Sequence, residues 1–95
     1  MNQLFYAPVD PIHIKKEKAK ARELRETQWW KQKLAQGICN YCEQKFTKVE
    51  LTMDHVLPIG RGGFSTKGNI VVCCKECNTK KAHKLPVEIF LETLS

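Results

Sequence analysis

The sequence predicts a small α+β domain held together by metal: a long basic helix, a β-hairpin with a glycine-rich loop, two C-x-x-C pairs, and a short closing helix. Three observations lead there. Residues 14–36 contain no Gly or Pro and are rich in Lys, Arg, Ala, Glu and Leu. From 38 to 77 the chain changes to short apolar runs punctuated by Gly and Pro. Cys39/Cys42 and Cys74/Cys77 bracket those runs. The domain reads as one compact unit, with an N-terminal segment and basic helix over 1–37 and a metal-bound core with its C-terminal helix over 38–95.

Each element has its own signal. The first helix stops at Gly37, a residue that accepts the left-handed backbone of a helix C-terminus. Its apolar stripe of Ala21, Leu24, Thr27, Trp30 and Leu34 is thin, so the helix is expected to pack along one narrow seam. Trp30 belongs to that seam. Trp29 points about 100° away and either covers the metal ribbon or serves a partner. Leu51–Val56 and Asn69–Cys73, the latter rich in β-branched residues, read as two strands. The connecting loop holds Gly60, Gly62, Gly63 and Gly68. A further helix is expected from Glu76 to about His83, and Pro86 opens a last one. In that helix Val87, Phe90, Leu91 and Leu94 recur at i, i+3, i+4 and i+7, a face expected to close the core.

The chain has 95 residues and no apolar run near 18, which excludes a membrane-spanning helix, a multidomain enzyme and a large buried cofactor pocket. A domain this short buries only about 60–70% of the surface its unfolded chain exposes, so apolar packing alone holds it weakly. The N-terminus carries no secretory signal, so an intracellular, cytoplasmic location is expected. In a reducing compartment cysteines favour metal over disulfides.

The two C-x-x-C knuckles are separated by 31 residues. Two thiolates at that spacing grip one side of a tetrahedral Zn²⁺, so Cys39, Cys42, Cys74 and Cys77 make a closed structural shell. Such a site contributes on the order of 10–16 kcal/mol at neutral pH, more than the net stability of a typical small domain. Cys73 continues the apolar run and is assigned to packing, with substitution for Cys74 as the alternative. A closed Cys₄ shell offers no open position, so chemistry must sit elsewhere.

The net charge of +6 is concentrated in two blocks, 13–37 and 56–85, at +5 each. A basic balance of this kind suits an anionic partner such as nucleic acid. Asp54-His55, at the end of a strand, offers a hard oxygen ligand beside a base of near-neutral pKa.

Read in order, Cys39-x-x-Cys42, Asp54-His55-x-x-Pro58, Gly62-Gly63, Asn69 and Cys74-x-x-Cys77-Asn78-x-x-Lys81 resemble the HNH endonuclease family in its zinc-ribbon-bearing bacterial and phage form. The resemblance spans Ile38 to Lys84 and implies a ββα-metal site, with one divalent cation between hairpin and helix. His55 maps onto the general base, Asp54 onto a metal ligand, and Asn69 onto the asparagine that pins the loop. Asn78 falls where the family name has a second histidine ligand, making this a His-Asn-Asn variant. An Asp carboxylate plus an Asn carbonyl oxygen suits Mg²⁺ or Mn²⁺. Relatives resembling the bacterial toxin nucleases carry another His at the position of Ala82. His83 is its neighbour, to be weighed as an extra ligand or phosphate contact against an ordinary exposed residue.

The activity so implied is hydrolysis of DNA phosphodiester bonds in double-stranded DNA, with branched or nicked forms as the alternative substrates. Arg61, Lys67, Lys75, Lys80, Lys81 and Lys84 surround the site as expected phosphate contacts, and Lys81 matches the family's motif lysine. The glycine loop either approaches a phosphate closely or is a flexible turn. The basic helix either lies along the duplex or is a solvated face. No sequence-reading module is visible, so low specificity is expected. The competing readings are a noncatalytic zinc-ribbon DNA-binding module and a structural zinc protein for RNA or protein partners.

Overall fold

The computed structural model describes residues 8–81 and 85–94. Helix α1 covers Pro11–Arg25 and α2 covers Gln28–Gln36; strands β1 (Leu51–His55) and β2 (Ile70–Cys74) form an antiparallel pair; α3 (Lys75–Lys81) follows β2 directly and α4 (Pro86–Thr93) comes last. This is a small α+β fold with an HNH-type ββα-metal arrangement of hairpin and helix. No helix among the described residues is long and apolar enough to cross a membrane.

The expected single helix over 14–36 is two. Asp10 caps α1 by accepting from the Ile12 amide at 2.9 Å, and Pro11 takes the first helical position. The break falls at Glu26-Thr27. The Thr27 hydroxyl donates to the Leu24 carbonyl at 2.6 Å and accepts from the Trp30 amide at 3.3 Å, so one side chain ends α1 and starts α2. Thr27 fits the helical stripe by position but leaves the helix because its oxygen competes for backbone groups. Gly37 then ends α2 with φ of 69°, and a Cβ there would meet the Phe46 carbonyl oxygen at 2.8 Å.

The strands pair in a register that sets Leu51 opposite Cys74, Asp54 opposite Val71 and His55 opposite Ile70. The first knuckle folds over β2, with the Asn40 amide donating to the Val72 carbonyl at 2.8 Å. The core cluster comprises Trp30, Cys39, Leu51, Ile70, Val72, Cys73 and Cys74, with Leu24, Trp29, Leu34, Tyr41 and Phe46 packed against it. Two of those seven residues, Cys39 and Cys74, belong to the thiol cluster, so this core is continuous with the cluster.

Helix α4 does not close that core. Val87, Phe90, Leu91 and Leu94 are all more than half exposed. The helix is tied down through polar groups instead: Glu88 Oε1 accepts from Arg61 Nη1 at 2.8 Å and from the Leu85 amide at 2.9 Å. Among the described residues, the core cluster is built from α2, the strands and the cysteines and takes in none from α4.

Candidate active site

The four knuckle sulfurs lie within 4.8 Å of one another. A tetrahedral zinc with arms of about 2.3 Å needs edges of about 3.8 Å, and Cys42 Sγ to Cys74 Sγ is 4.0 Å, so the donor set fits one such ion. Burial opposes ionisation of Cys39, but the amides of Cys42, Cys74 and Tyr41 outweigh it and bring that thiol down to about 6. Cys73 neighbours Cys39 but is not one of the four grouped sulfurs; it donates its thiol hydrogen to the Cys74 carbonyl at 3.3 Å and is pushed up to about 12 by burial and the Asp54 charge. Its complete burial in the core fits a packing role.

Successive residues of a strand project to opposite faces, so the end of β1 sends Asp54 and His55 to different neighbours. Asp54 is buried; its Oδ2 accepts from the Tyr41 hydroxyl at 2.5 Å and its Oδ1 lies 3.4 Å from Lys81 Nζ. His55 turns toward the glycine loop, with Nε2 at 2.9 Å from Ser65 Oγ. Burial holds its imidazole below the ordinary value; the Asp54 charge opposes that and Arg25 adds to it.

Asn69 fastens the loop between the strands. Its Oδ1 accepts from the Leu57 amide at 2.8 Å, and its Nδ2 donates to the carbonyls of Leu57 at 3.0 Å and Phe64 at 2.9 Å. The backbone at Gly63 is pressed against Leu57 so closely that a Cβ would sit 1.8 Å from its carbonyl oxygen. That glycine is demanded by the loop's own packing, whatever its relation to a phosphate. Asp54, His55 and Asn78 line one open cleft of about 330 Å³, together with Lys81 and, from α1, Ile14 and Lys18.

The expected phosphate contacts are placed unequally. Lys67 and Lys75 are exposed, and Lys67 lies over the Trp29 ring at 5.6 Å. Lys80 is exposed and paired with Glu76 at 3.2 Å, while Arg61 is held by Glu88. Lys81 is corrected: it is 3% exposed, and its ammonium is taken up by Asp54 and by the His55 carbonyl at 3.0 Å. A motif lysine at the last turn of α3 faces the strand, where the buried carboxylate draws it in. Lys84, Ala82 and His83 lie outside the described residues.

Sequence reasoning missed Tyr41, His13, Glu17 and Ser65. Tyr41 sits inside the first knuckle and reaches Asp54. His13 donates from Nε2 to the Gly63 carbonyl at 2.9 Å and meets Phe64 edge to face. Glu17 is 1% exposed; it accepts from the Ser65 amide through Oε1 at 2.6 Å, and its backbone carbonyl accepts from Ser65 Oγ, also at 2.6 Å. A signal for Glu17 existed: it is the one acid between Ile14 and Arg22, and it shares the i, i+4, i+7 stripe of Ala21 and Leu24. A second cleft beside His55 is lined by Lys18, Arg22 and Arg25, so α1 turns a basic edge toward the imidazole.

Comparison with curated proteins finds no match. A sequence profile described as HNH endonuclease matches residues 39–92, more than half of the chain, and takes in both knuckles, Asp54, His55, Asn69 and Asn78. With the hairpin, the helix and the thiol cluster arranged as above, the chain belongs to the HNH endonuclease family, and its four grouped cysteines could hold one metal ion.

Proposed function

We propose that the protein is a metal-dependent endonuclease that hydrolyses DNA phosphodiester bonds with little sequence preference. The observation that carries this reading is the convergence of Asp54, His55 and Asn78 on one open cleft whose loop is fastened by Asn69. Asp54 and the Asn78 side-chain oxygen would hold Mg²⁺ or Mn²⁺, an oxygen donor set suited to a hard cation. Such a cation, when bound, offsets charge developing on the phosphate and the leaving oxygen.

The chain's own groups do the rest. The His55 imidazole, kept neutral by burial, takes the proton of the attacking water. Asn69 holds the loop that faces it. Lys67, Lys75 and Lys80 on the loop and α3, with Lys18, Arg22 and Arg25 on α1, neutralise phosphates without reading bases. Zinc on Cys39, Cys42, Cys74 and Cys77 fixes the scaffold and takes no part in the chemistry.

Plasmid relaxation with Mg²⁺ or Mn²⁺, wild type beside His55→Ala, tests this. The variant is expected to lose most turnover and to keep Mn²⁺ binding by calorimetry, whereas Asp54→Ala loses both. Equal activity in wild type and His55→Ala refutes the assignment. The ion pair between Lys81 and Asp54 favours one second reading, a noncatalytic zinc-ribbon DNA-binding module in which the carboxylate is permanently neutralised. It predicts DNA retardation without relaxation by the wild type.

A further inference from the structure

Helix α1 lies outside the residues that match the family, yet it holds the loop that faces the general base. Its contacts are one turn apart: His13 takes the Gly63 carbonyl and the Phe64 ring, and Glu17 takes Ser65 twice, through Oε1 and through the backbone carbonyl. Ser65 is buried, and its hydroxyl also touches His55 Nε2.

The hydrogen on Ser65 Oγ has one place to go. A carbonyl oxygen only accepts, so the 2.6 Å contact to Glu17 requires the hydroxyl to donate there. The hydroxyl has a single hydrogen, and toward His55 Oγ has only lone pairs. The 2.9 Å contact is therefore a hydrogen bond donated by Nε2. A neutral imidazole protonated at Nε2 has its free lone pair on Nδ1.

We infer that Ser65 and Glu17 are positioning residues for the nuclease, fixing His55 in the Nε2–H tautomer so that Nδ1 is the nitrogen that accepts the proton from water. This rests on the nuclease reading above and deepens it, because it brings a helix outside the matched region into the catalytic apparatus. Glu17 acts at one remove: its carboxylate grips the Ser65 amide and its turn of α1 presents the carbonyl that commits the hydroxyl. The arrangement has the logic of an acid-base residue oriented through its second ring nitrogen.

Long-range proton–nitrogen correlation spectra of the zinc-loaded protein, recorded at pH 8 where the His55 ring is neutral, read the tautomer directly. The expected result is hydrogen on Nε2 in the wild type. Ser65→Ala is expected to give a mixture of tautomers and to lower kcat for plasmid relaxation about 10- to 100-fold with KM nearly unchanged, as is usual for loss of an orienting partner. Ser65→Thr, which restores a hydroxyl, is expected to recover both. Hydrogen on Nδ1 in the wild type overturns the inference without recourse to any variant, as does a Ser65→Ala protein with unaltered tautomer and kcat. A wild type that carries hydrogen on Nε2 but cleaves nothing upholds the contact and refutes the nuclease reading instead.

Discussion

Tyr41 donates its hydroxyl hydrogen to Oδ2 of Asp54 at 2.5 Å, and thereby ties the first zinc knuckle to the carboxylate proposed to hold the second metal. Burial and the Asp54 charge both raise the phenol above its ordinary value, so it stays a donor throughout the working range. Tyr41→Phe is expected to weaken Mn²⁺ binding about tenfold while zinc content stays at one per chain. Calorimetry and metal analysis on the same sample check both halves. Undiminished Mn²⁺ affinity would show that the phenol does not orient the carboxylate.

Removal of zinc should unfold the protein, because two of the seven core residues, Cys39 and Cys74, belong to the thiol cluster and the metal contributes on the order of 10–16 kcal/mol. Chelation under reducing conditions is expected to abolish the helical circular dichroism of α1 and α2 together with that of the core. Cys73→Ala should retain one zinc, since its sulfur serves packing. A Cys73→Ala protein that folds but binds no zinc would reassign the ligand.

Lys81 and Asp54 have side chains only 3% and 7% exposed. Breaking a buried pair by removing one partner costs about 3–5 kcal/mol, chiefly from the charge left behind. Lys81→Met is therefore expected to lower the thermal stability of the zinc-loaded protein steeply when no Mn²⁺ is added, and Mn²⁺ is expected to restore part of it by supplying a counter-charge to Asp54. Addition of Asn at position 54, in the double variant with Lys81→Met, should relieve the loss without metal. A Lys81→Met protein as stable as wild type would mean that the carboxylate is solvated.

Glu17 gives a pH dependence of known sign. Its bond from the Ser65 amide, opposed by burial and aided by Lys20, places it below the ordinary glutamate value of 4.5. The folded state therefore binds that proton less readily than the unfolded chain. The carboxylate's contribution is complete above pH 4.5 and disappears as pH falls through the lowered value. Denaturant unfolding of wild type and Glu17→Gln should differ at pH 7, keep that difference down to the ordinary value, and converge below it. A difference that persists undiminished well below pH 4 would contradict the assignment.

Much of this was legible in the residues. Ile70, Val71 and Val72 marked a strand because β-branched side chains suit a pleated surface, and the paired C-x-x-C spacing marked the thiol cluster because it fits one tetrahedral ion. What escaped depends on partners far along the chain. Thr27 keeps a helical period and reveals itself as a cap only through Leu24 and Trp30. Glu17 and Lys20 look like a solvated pair until Ser65, 48 residues away, covers the carboxylate. Lys81 reads as a phosphate contact until the fold sets Asp54 beside it. The apolar period of α4 was read correctly and its burial was not, because period reports which residues share a face and says nothing of what already occupies the core.

The break at Glu26-Thr27 has a mechanical consequence. A continuous rod of that length could brace only one side of so small a body, whereas two jointed rods reach around it. α1 splints the loop beside His55, and α2 seats Trp30 against the cysteines. A protein shortened to begin at Gln28 would lose that splint together with the Thr27 cap of α2 and the Leu24 contact with the core, so the joint couples how fast the protein works to how firmly it stands.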